Sequence, residues 1–361
     1  IGSRAKADGK NAIVLGTNSF VQDDDSIAIG SGATVTSDKP APSRNSIAFG
    51  TDAKVKGGNS TAIGWLADTG DGAGMLAVGE GASTNNKTAG SATYSANNSQ
   101  SVALGSRAKA FGDQAIAIGG EVKASGNSSV AIGGDDIDRV RTTHGALYQN
   151  ITGQALPPSG TYISTESSGA GSTAIGVMTT ASGHFASALG MTADASGDGS
   201  IALGPVAKSS GEAGVAIGIA SQASAKKTIA MGSVATADKD YATAIGGKAS
   251  ATSEGAQALG YQSKASGLAS NAIGWNAGAT AHDATAIGSG AKAYGWSSFA
   301  QGSSALASGE KSISIGDSSS ATVNDTIAIG TKAQATGSNS ISIGKGNIVS
   351  GNNSAAIGNP S

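Results

Sequence analysis

The chain has 361 residues, of which 56 are Gly and only 3 are Trp, 6 Tyr and 5 Phe, and its hydrophobic fraction of 39% is mostly Ala. This composition excludes the two or three ordinary globular cores that the length would otherwise indicate. The formal net charge is −2 and the basic residues are scattered singly, which argues against nucleic acid as a partner. Because the chain has no Cys, disulfides, thiolate metal sites and cysteine nucleophiles are excluded together.

A short phrase recurs through residues 1–133: Ala or Ser, a large apolar residue, then Gly. A fixed period predicts a solenoid in which each coil contacts only its neighbours. Most intervals keep a 14-residue period, and longer intervals indicate insertions near 31–45 and 80–100. Tyr94, in the second insertion, is a candidate partner-binding residue. The repeat glycines of this part are Gly2, Gly16, Gly30, Gly50, Gly64, Gly79, Gly105, Gly119 and Gly133.

Residues 134–171 form the longest interruption and are called the excursion below. Loops on a rigid scaffold are favoured binding sites, and this segment combines opposite charges with His and aromatic residues. The alternative is that the excursion packs on a neighbouring chain. Its candidate partner-binding residues are Arg139, Arg141, His144, Tyr148 and Tyr162.

Residues 172–361 repeat the phrase with the same 14-residue period and without interruption. In the coil 331–344, the small residues Ala333 and Ala335 alternate with the polar Lys332 and Gln334. This alternation predicts a half-buried strand whose other face meets water. Glycines at the end of the phrase, and often at the middle of the coil, are expected at the turns because Gly accepts positive φ.

The second strand of each coil has no polar face. The residue before the repeat Gly is large and apolar, and its neighbour, which points the opposite way, is Ala or Ser. Such a strand must be covered on both sides, and the chain itself supplies one cover, so we expect a second layer from symmetric copies of the chain. The residues expected in the core of the roll or between the chains are Ile175, Leu203, Ile217, Ile245, Ile273, Ile287, Ile315, Ile329 and Ile343.

Aromatic residues one period apart are expected to share a place on successive coils. Tyr261 aligns with Trp275, and His282 aligns with Trp296. Tyr261, Trp275 and Trp296 are therefore candidates for gripping the apolar face of a ligand, although such columns also shield turns.

Enzymatic chemistry finds no support in the sequence. The three histidines are scattered, and no nucleophile elbow or phosphate-binding loop is present. We expect no catalytic residue, no metal site, no cofactor and no small-molecule substrate. The sequence has no signal peptide and no apolar run long enough to span a bilayer. The opening Ile1 and Gly2 resemble the end of a truncated repeat, so we expect the chain to be an excised piece.

The coil ends SIAIG (26–30), STAIG (60–64), SVALG (101–105) and SISIG (340–344) resemble the YadA-like head of trimeric autotransporter adhesins of Gram-negative bacteria. The resemblance covers essentially the whole chain outside the insertions. It implies an all-β fold, a left-handed parallel β-roll of 14-residue coils, with three rolls packed around one axis as a homotrimer. It also implies a passenger domain exposed at the outer membrane, attached only through segments absent from this chain.

The resemblance predicts an adhesin head that mediates attachment to host extracellular matrix, host cell receptors or other cells. The expected partners are two further copies of the chain and a host matrix protein or host cell-surface receptor. The alternative is a structural spacer of a surface fibre without its own ligand. A spacer is expected to keep its period unbroken. The insertions in this chain break the period and therefore argue against a spacer.

Overall fold

The computed structural model describes residues 1–37, 45–85, 99–153 and 155–358. The prediction of a parallel β-solenoid of 14-residue coils is confirmed. Most coils contain one strand of two residues and one of three, and each strand pairs in parallel with the strand at the same position of the next coil. The chain divides into two compact units, Ile1–Gly199 and Ser200–Ser361.

The two-residue strands make up the short-strand sheet, which in the first unit is joined between Lys54 and Lys109 only by single bridges at Asp68 and Ser83. In the first unit the strands are Lys6–Ala7, Phe20–Val21, Thr34–Val35, Lys54–Val55, Lys109–Ala110, Lys123–Ala124, Glu166–Ser167, Thr180–Ala181 and Asp194–Ala195. In the second unit they are Lys208–Ser209, Gln222–Ala223, Thr236–Ala237, Ser250–Ala251, Lys264–Ala265, Gly278–Ala279, Lys292–Ala293, Leu306–Ala307, Ser320–Ala321, Gln334–Ala335 and Ile348–Val349.

The longer strands form the long-strand sheet. In the first unit they are Ile13–Leu15, Ile27–Ile29, Ile47–Phe49, Thr61–Ile63, Leu76–Val78, Val102–Leu104, Ile116–Ile118, Val130–Gly134, Thr173–Val177 and Ser187–Leu189. In the second unit they are Ile201–Leu203, Val215–Ile217, Ile229–Met231, Thr243–Ile245, Gln257–Leu259, Asn271–Ile273, Thr285–Ile287, Phe299–Gln301, Ile313–Ile315, Ile327–Ile329, Ile341–Ile343 and Ala355–Ile357.

Small side chains fill the interior of each unit. In the second unit, Ala272 of the long-strand sheet and Ala265 of the short-strand sheet are both fully buried, within a continuous cluster of alanines. The first unit is built in the same way but accepts Val21, Val35 and Val55 on its short-strand sheet. The interior is therefore narrow, because most of the side chains buried in it are Ala, Ser, Thr or Val.

The large apolar residues lie on the outer face of the long-strand sheet. Leu203, Ile245 and Ile273 are 39%, 38% and 37% exposed, and each pairs in register with an apolar residue of an adjacent coil. The other six residues expected in the core of the roll or of the trimer are half-buried on the same face: Ile175, Ile217, Ile287, Ile315, Ile329 and Ile343. The Ala side of this strand therefore fills the roll, and the large apolar side is left partly exposed in the single chain.

Two kinds of glycine are required by the turns, for different reasons. Gly288 has a φ of 129°, and a Cβ at this position would stand 2.6 Å from the carbonyl oxygen of Gly302 on the next coil. Gly337 has no positive φ, but a Cβ there would collide with the carbonyl oxygen of Gly351. The residue with positive φ in that second turn is Asn339, at 53°. The expectation that the mid-coil glycine supplies positive φ is therefore wrong, and close approach between coils is the reason for it.

Gln301 is a polar residue in the outward column formed by the last residue of each long strand. It pairs in register with Ile287 and Ile315 and lies two residues from the half-buried Phe299. We expect Gln301→Ile to raise the melting temperature by about 2–4 °C, because it restores an apolar contact worth about 1 kcal/mol. Calorimetry measures this shift. Gln334→Ile, on the exposed face of the short-strand sheet, is the control without effect, and a lower melting temperature for Gln301→Ile would show that the amide has a specific partner.

Candidate functional site

The excursion leaves the roll after strand Val130–Gly134 and returns at strand Glu166–Ser167. The long strands on either side of it pair over their whole length, which includes Gly133 with Gly176 and Gly134 with Val177. Thr165 ties the return to the roll, since its hydroxyl donates to the carbonyl oxygen of Gly134 at 2.8 Å or to that of Gly176 at 2.6 Å. The excursion therefore begins and ends on adjacent coils without interrupting their pairing.

The excursion contains a helix that the sequence analysis did not predict, α1, Asp138–Thr152. The Asp136 carboxylate accepts a hydrogen bond from the backbone N–H of Asp138 at 2.6 Å, and Gly153 ends the helix with a φ of 73°. An acidic first turn and a terminal Gly are ordinary helix signals. They were detectable in the sequence, but only in a segment already treated as an irregular insertion.

Arg141 holds the excursion together. Its guanidinium contacts the Asp138 carboxylate at 2.6 Å and donates to the carbonyl oxygens of Pro157 and Pro158. The hydroxyl of Ser159 donates to the other Asp138 oxygen at 3.1 Å. Hydrogen bonding to Arg141 lowers the pKa of Asp138. Arg141 therefore fixes the chain after α1 against its first turn, and its charge is already neutralised.

Tyr148 points into the excursion. It is 9% exposed, and Ile137 and Leu156 are also buried in this segment. Burial raises the pKa of the Tyr148 hydroxyl. Arg141 is thus paired within the excursion and Tyr148 is buried in it, so neither side chain is readily accessible to a partner.

The other predicted residues of the excursion are accessible. Arg139 and His144 are exposed on α1, and Tyr162 is 63% exposed in the segment that follows it. The Nδ1 atom of His144 lies 2.7 Å from the Thr143 hydroxyl. Large exposed apolar residues also recur at helical spacing on α1: Val140, Leu147 and Ile151. Helix α1 thus carries an exposed apolar face together with the exposed Arg139 and His144, and Tyr162 is exposed in the segment after it.

The aromatic residues of the second unit are exposed at the turns. Tyr261, Trp275 and Trp296 are 47%, 57% and 57% exposed. The indole N–H of Trp296 lies 3.2 Å from His282 Nδ1, and the two rings meet edge to face with centroids 5.7 Å apart. The Tyr261 ring covers Gly247 of the preceding coil. His282 and Trp296 are brought together as predicted, whereas the described contacts of Tyr261 include no ring contact with Trp275.

Two predicted features lie outside the described residues. Tyr94 falls in the range 86–98 of the insertion near 80–100, and residues 38–44 of the insertion near 31–45 also lie outside. Over the described ranges, no helix has the length and apolar character needed to cross a bilayer. Within the same ranges, no three His, Asp or Glu side chains come together as metal ligands.

The 14-residue coil with an Ala-lined interior and a large apolar outer column is matched by a known family model. The model of the YadA head domain repeat matches residues 1–19, 7–33, 41–67, 96–121, 167–193, 195–221, 209–235, 223–249, 251–277, 279–305, 307–333 and 335–359. The chain belongs to the YadA head family. A search of curated proteins finds no significant match to the chain.

Membership places the chain among the heads of adhesins of the trimeric autotransporter type, which are exposed on the surface of bacteria. No matched repeat covers residues 122–166. Most of the excursion, including α1, is therefore an addition to the YadA head repeat.

Proposed function

We propose that this YadA head assembles as a homotrimer at the outer membrane and attaches the bacterium to host extracellular matrix, host cell receptors or other cells. The observation that carries the proposal is the outer column of large apolar residues on a repeat of this family. Three rolls that turn these faces towards one axis remove them from water. Apolar burial contributes about 25 cal/mol per Å², so a column that extends over many coils stabilises the trimer strongly.

The excursion is the part of the head that we propose to contact a partner. Arg139 and His144 are exposed on α1, which also carries the exposed apolar face, and Tyr162 is exposed after the helix. Arg141 and Tyr148 hold the segment in shape. Three copies surround the trimer, so weak single contacts are strengthened by avidity. Packing on a neighbouring protomer is the alternative for the same apolar face.

A spacer without a ligand is the second candidate function. A spacer needs only coils, whereas residues 134–165 of this chain form a segment outside the coils that contains a helix. The coils on either side of this segment still pair with each other. A separately stabilised addition of this kind favours recognition over spacing.

Excision of the excursion tests the proposal. Removing residues 134–162, which joins Gly133 to Ile163 and restores the 14-residue period up to Gly176, should leave a folded trimer. Strand Glu166–Ser167 keeps both of its neighbours in this variant, and coils depend on their neighbours alone. Attachment of the trimmed head to cells or matrix proteins is expected to fall about tenfold or more, since three contacts are lost together. Adhesion counts of coated beads measure this.

The matched control keeps the excursion folded. Arg139→Ala, His144→Ala and Tyr162→Ala change accessible residues alone and should reproduce the loss if the exposed surface binds. If the trimmed trimer attached as well as the intact head, the binding site would lie outside the excursion. Loss of the trimer on excision would show that the segment is a packing element between protomers.

A further inference from the structure

A groove of about 380 Å³ opens on the outer face of the short-strand sheet in the second unit. Its centre is strand Gly278–Ala279, which pairs with Lys264–Ala265 on one side and Lys292–Ala293 on the other. The volume is in the range of small-molecule sites. The residues that line it are Lys264, Asn276, Ala277, Gly278, Thr280, Lys292 and Tyr294.

A missing side chain creates the groove. All the other short strands of the second unit carry a side chain at the position of Gly278, for example Ser250, Leu306 and Ser320. Gly278 has no positive φ, and a Cβ there would lie 3.7 Å from the Tyr294 ring, an ordinary contact. The backbone therefore does not require Gly. A strand glycine without such a requirement often marks a place where a ligand approaches closely.

Two cations flank this gap. Lys264 and Lys292 are both exposed and two strands apart, a separation of about 9.6 Å between their backbones at about 4.8 Å per strand. Neither forms an ion pair with a residue that the structure describes, and the groove lining contains no carboxylate. Two unneutralised ammonium groups on a chain of net charge −2 indicate a local site for an anion.

The remaining groups are those that bind a sugar. The Tyr294 ring forms one side of the gap, the Thr280 hydroxyl and the Asn276 amide offer hydrogen bonds, and all three are exposed. Aromatic faces cover apolar patches of a ligand while amides and hydroxyls fix its polar groups. An acidic peptide would bind the two lysines, but its binding does not require the open space above Gly278 beside the Tyr294 ring.

We propose that this groove binds an acidic saccharide, with sulfate or carboxylate groups on Lys264 and Lys292 and a sugar ring in the space above Gly278. The inference rests on the proposed role of the chain as an exposed attachment head. The groove would be a second binding site of the head, separate from the excursion, with acidic saccharides as its ligands.

The test compares dextran sulfate with uncharged dextran of the same length, at an ionic strength near 0.15 M, where the Debye length is about 8 Å and diffuse attraction is screened. The intact head is expected to bind dextran sulfate alone. Gly278→Leu fills the gap with a side chain that the column already accepts at Leu306. This variant should reduce the affinity for dextran sulfate about tenfold or more. Lys264→Gln with Lys292→Gln should do the same.

Matched controls separate the groove from general charge and packing. Ser320→Leu makes the same kind of change in the same column outside the groove, and Lys248→Gln with Lys332→Gln removes the same charge from exposed turns. Both should bind like the unaltered head. Equal affinity for polyglutamate, unchanged binding in Gly278→Leu, or no binding of dextran sulfate would each overturn the proposal. Attachment to cells, measured in parallel, reports on the adhesin role itself, so persistence of attachment with no saccharide binding would reject the groove alone.

Discussion

Replacing Ile273 and Ile287 together by aspartate is expected to abolish the trimer of this YadA head. The two residues pair in register on adjacent long strands. In the single chain Ile273 is 37% exposed and Ile287 is half-buried, so most of the cost arises when three copies meet. Six unpaired carboxylates would then enter one apolar layer, and burial of each costs several kcal/mol. Since we propose that this layer supports the coils, we expect loss of folded protein as well as of the assembly.

Light scattering after size exclusion checks this result. The unaltered protein should have a mass near three times 34.5 kDa, while the double variant should show no trimer and lose its β-sheet circular dichroism. Ser320→Asp with Gln334→Asp places two carboxylates in register on the outer face of the short-strand sheet, where water screens them, and this control should remain a trimer. A stable folded monomer of the unaltered chain would falsify the trimeric arrangement.

Ala272→Leu is expected to be the most damaging single substitution in the interior of the second unit. Ala272 is fully buried, and every long strand of this unit places Ala or Ser at its central position. The larger side chain forces the two sheets apart, and overpacking of this kind costs about 1–3 kcal/mol or more for each chain. Chemical denaturation followed by circular dichroism measures the loss.

Asn271→Leu is the control for this substitution, because Asn271 precedes Ala272 on the same strand and points to the opposite face. Other strands of the unit carry Ile or Val at this place. We expect Asn271→Leu to leave the unfolding midpoint unchanged or slightly higher. If both variants were equally unstable, the interior would have to be wider than the alanine cluster indicates.

The architecture was predictable because period and alternation are properties of the sequence itself. The 14-residue interval predicted a solenoid, and the small, polar, small pattern of Ala333, Gln334 and Ala335 predicted a half-buried strand, as the structure shows. The side of the long strand that lies inside was not predictable. Both Ala272 and Ile273 are apolar, and only the narrow space between the two sheets decides that Ala faces inwards.

The details of the candidate sites were less accessible to sequence reasoning. The residue types of Arg141 and Tyr148 indicated partner contacts, but Arg141 is hydrogen-bonded and Tyr148 is buried within the excursion. Helix α1 was missed because its signals are local to a segment that breaks the main period. The groove escaped notice because its decisive feature, at Gly278, is the lack of a side chain among many glycines.

Each strand of the roll pairs with the strand at the same position of the next coil, as Lys264 does with Gly278 and Asn271 with Thr285. One coil can therefore be duplicated or deleted by recombination between repeats, and the new neighbours meet the same partners as the old ones. Each such event alters the reach of a unit by about 4.8 Å per coil. A bacterial lineage can thus tune how far this head extends without redesigning any surface that it carries.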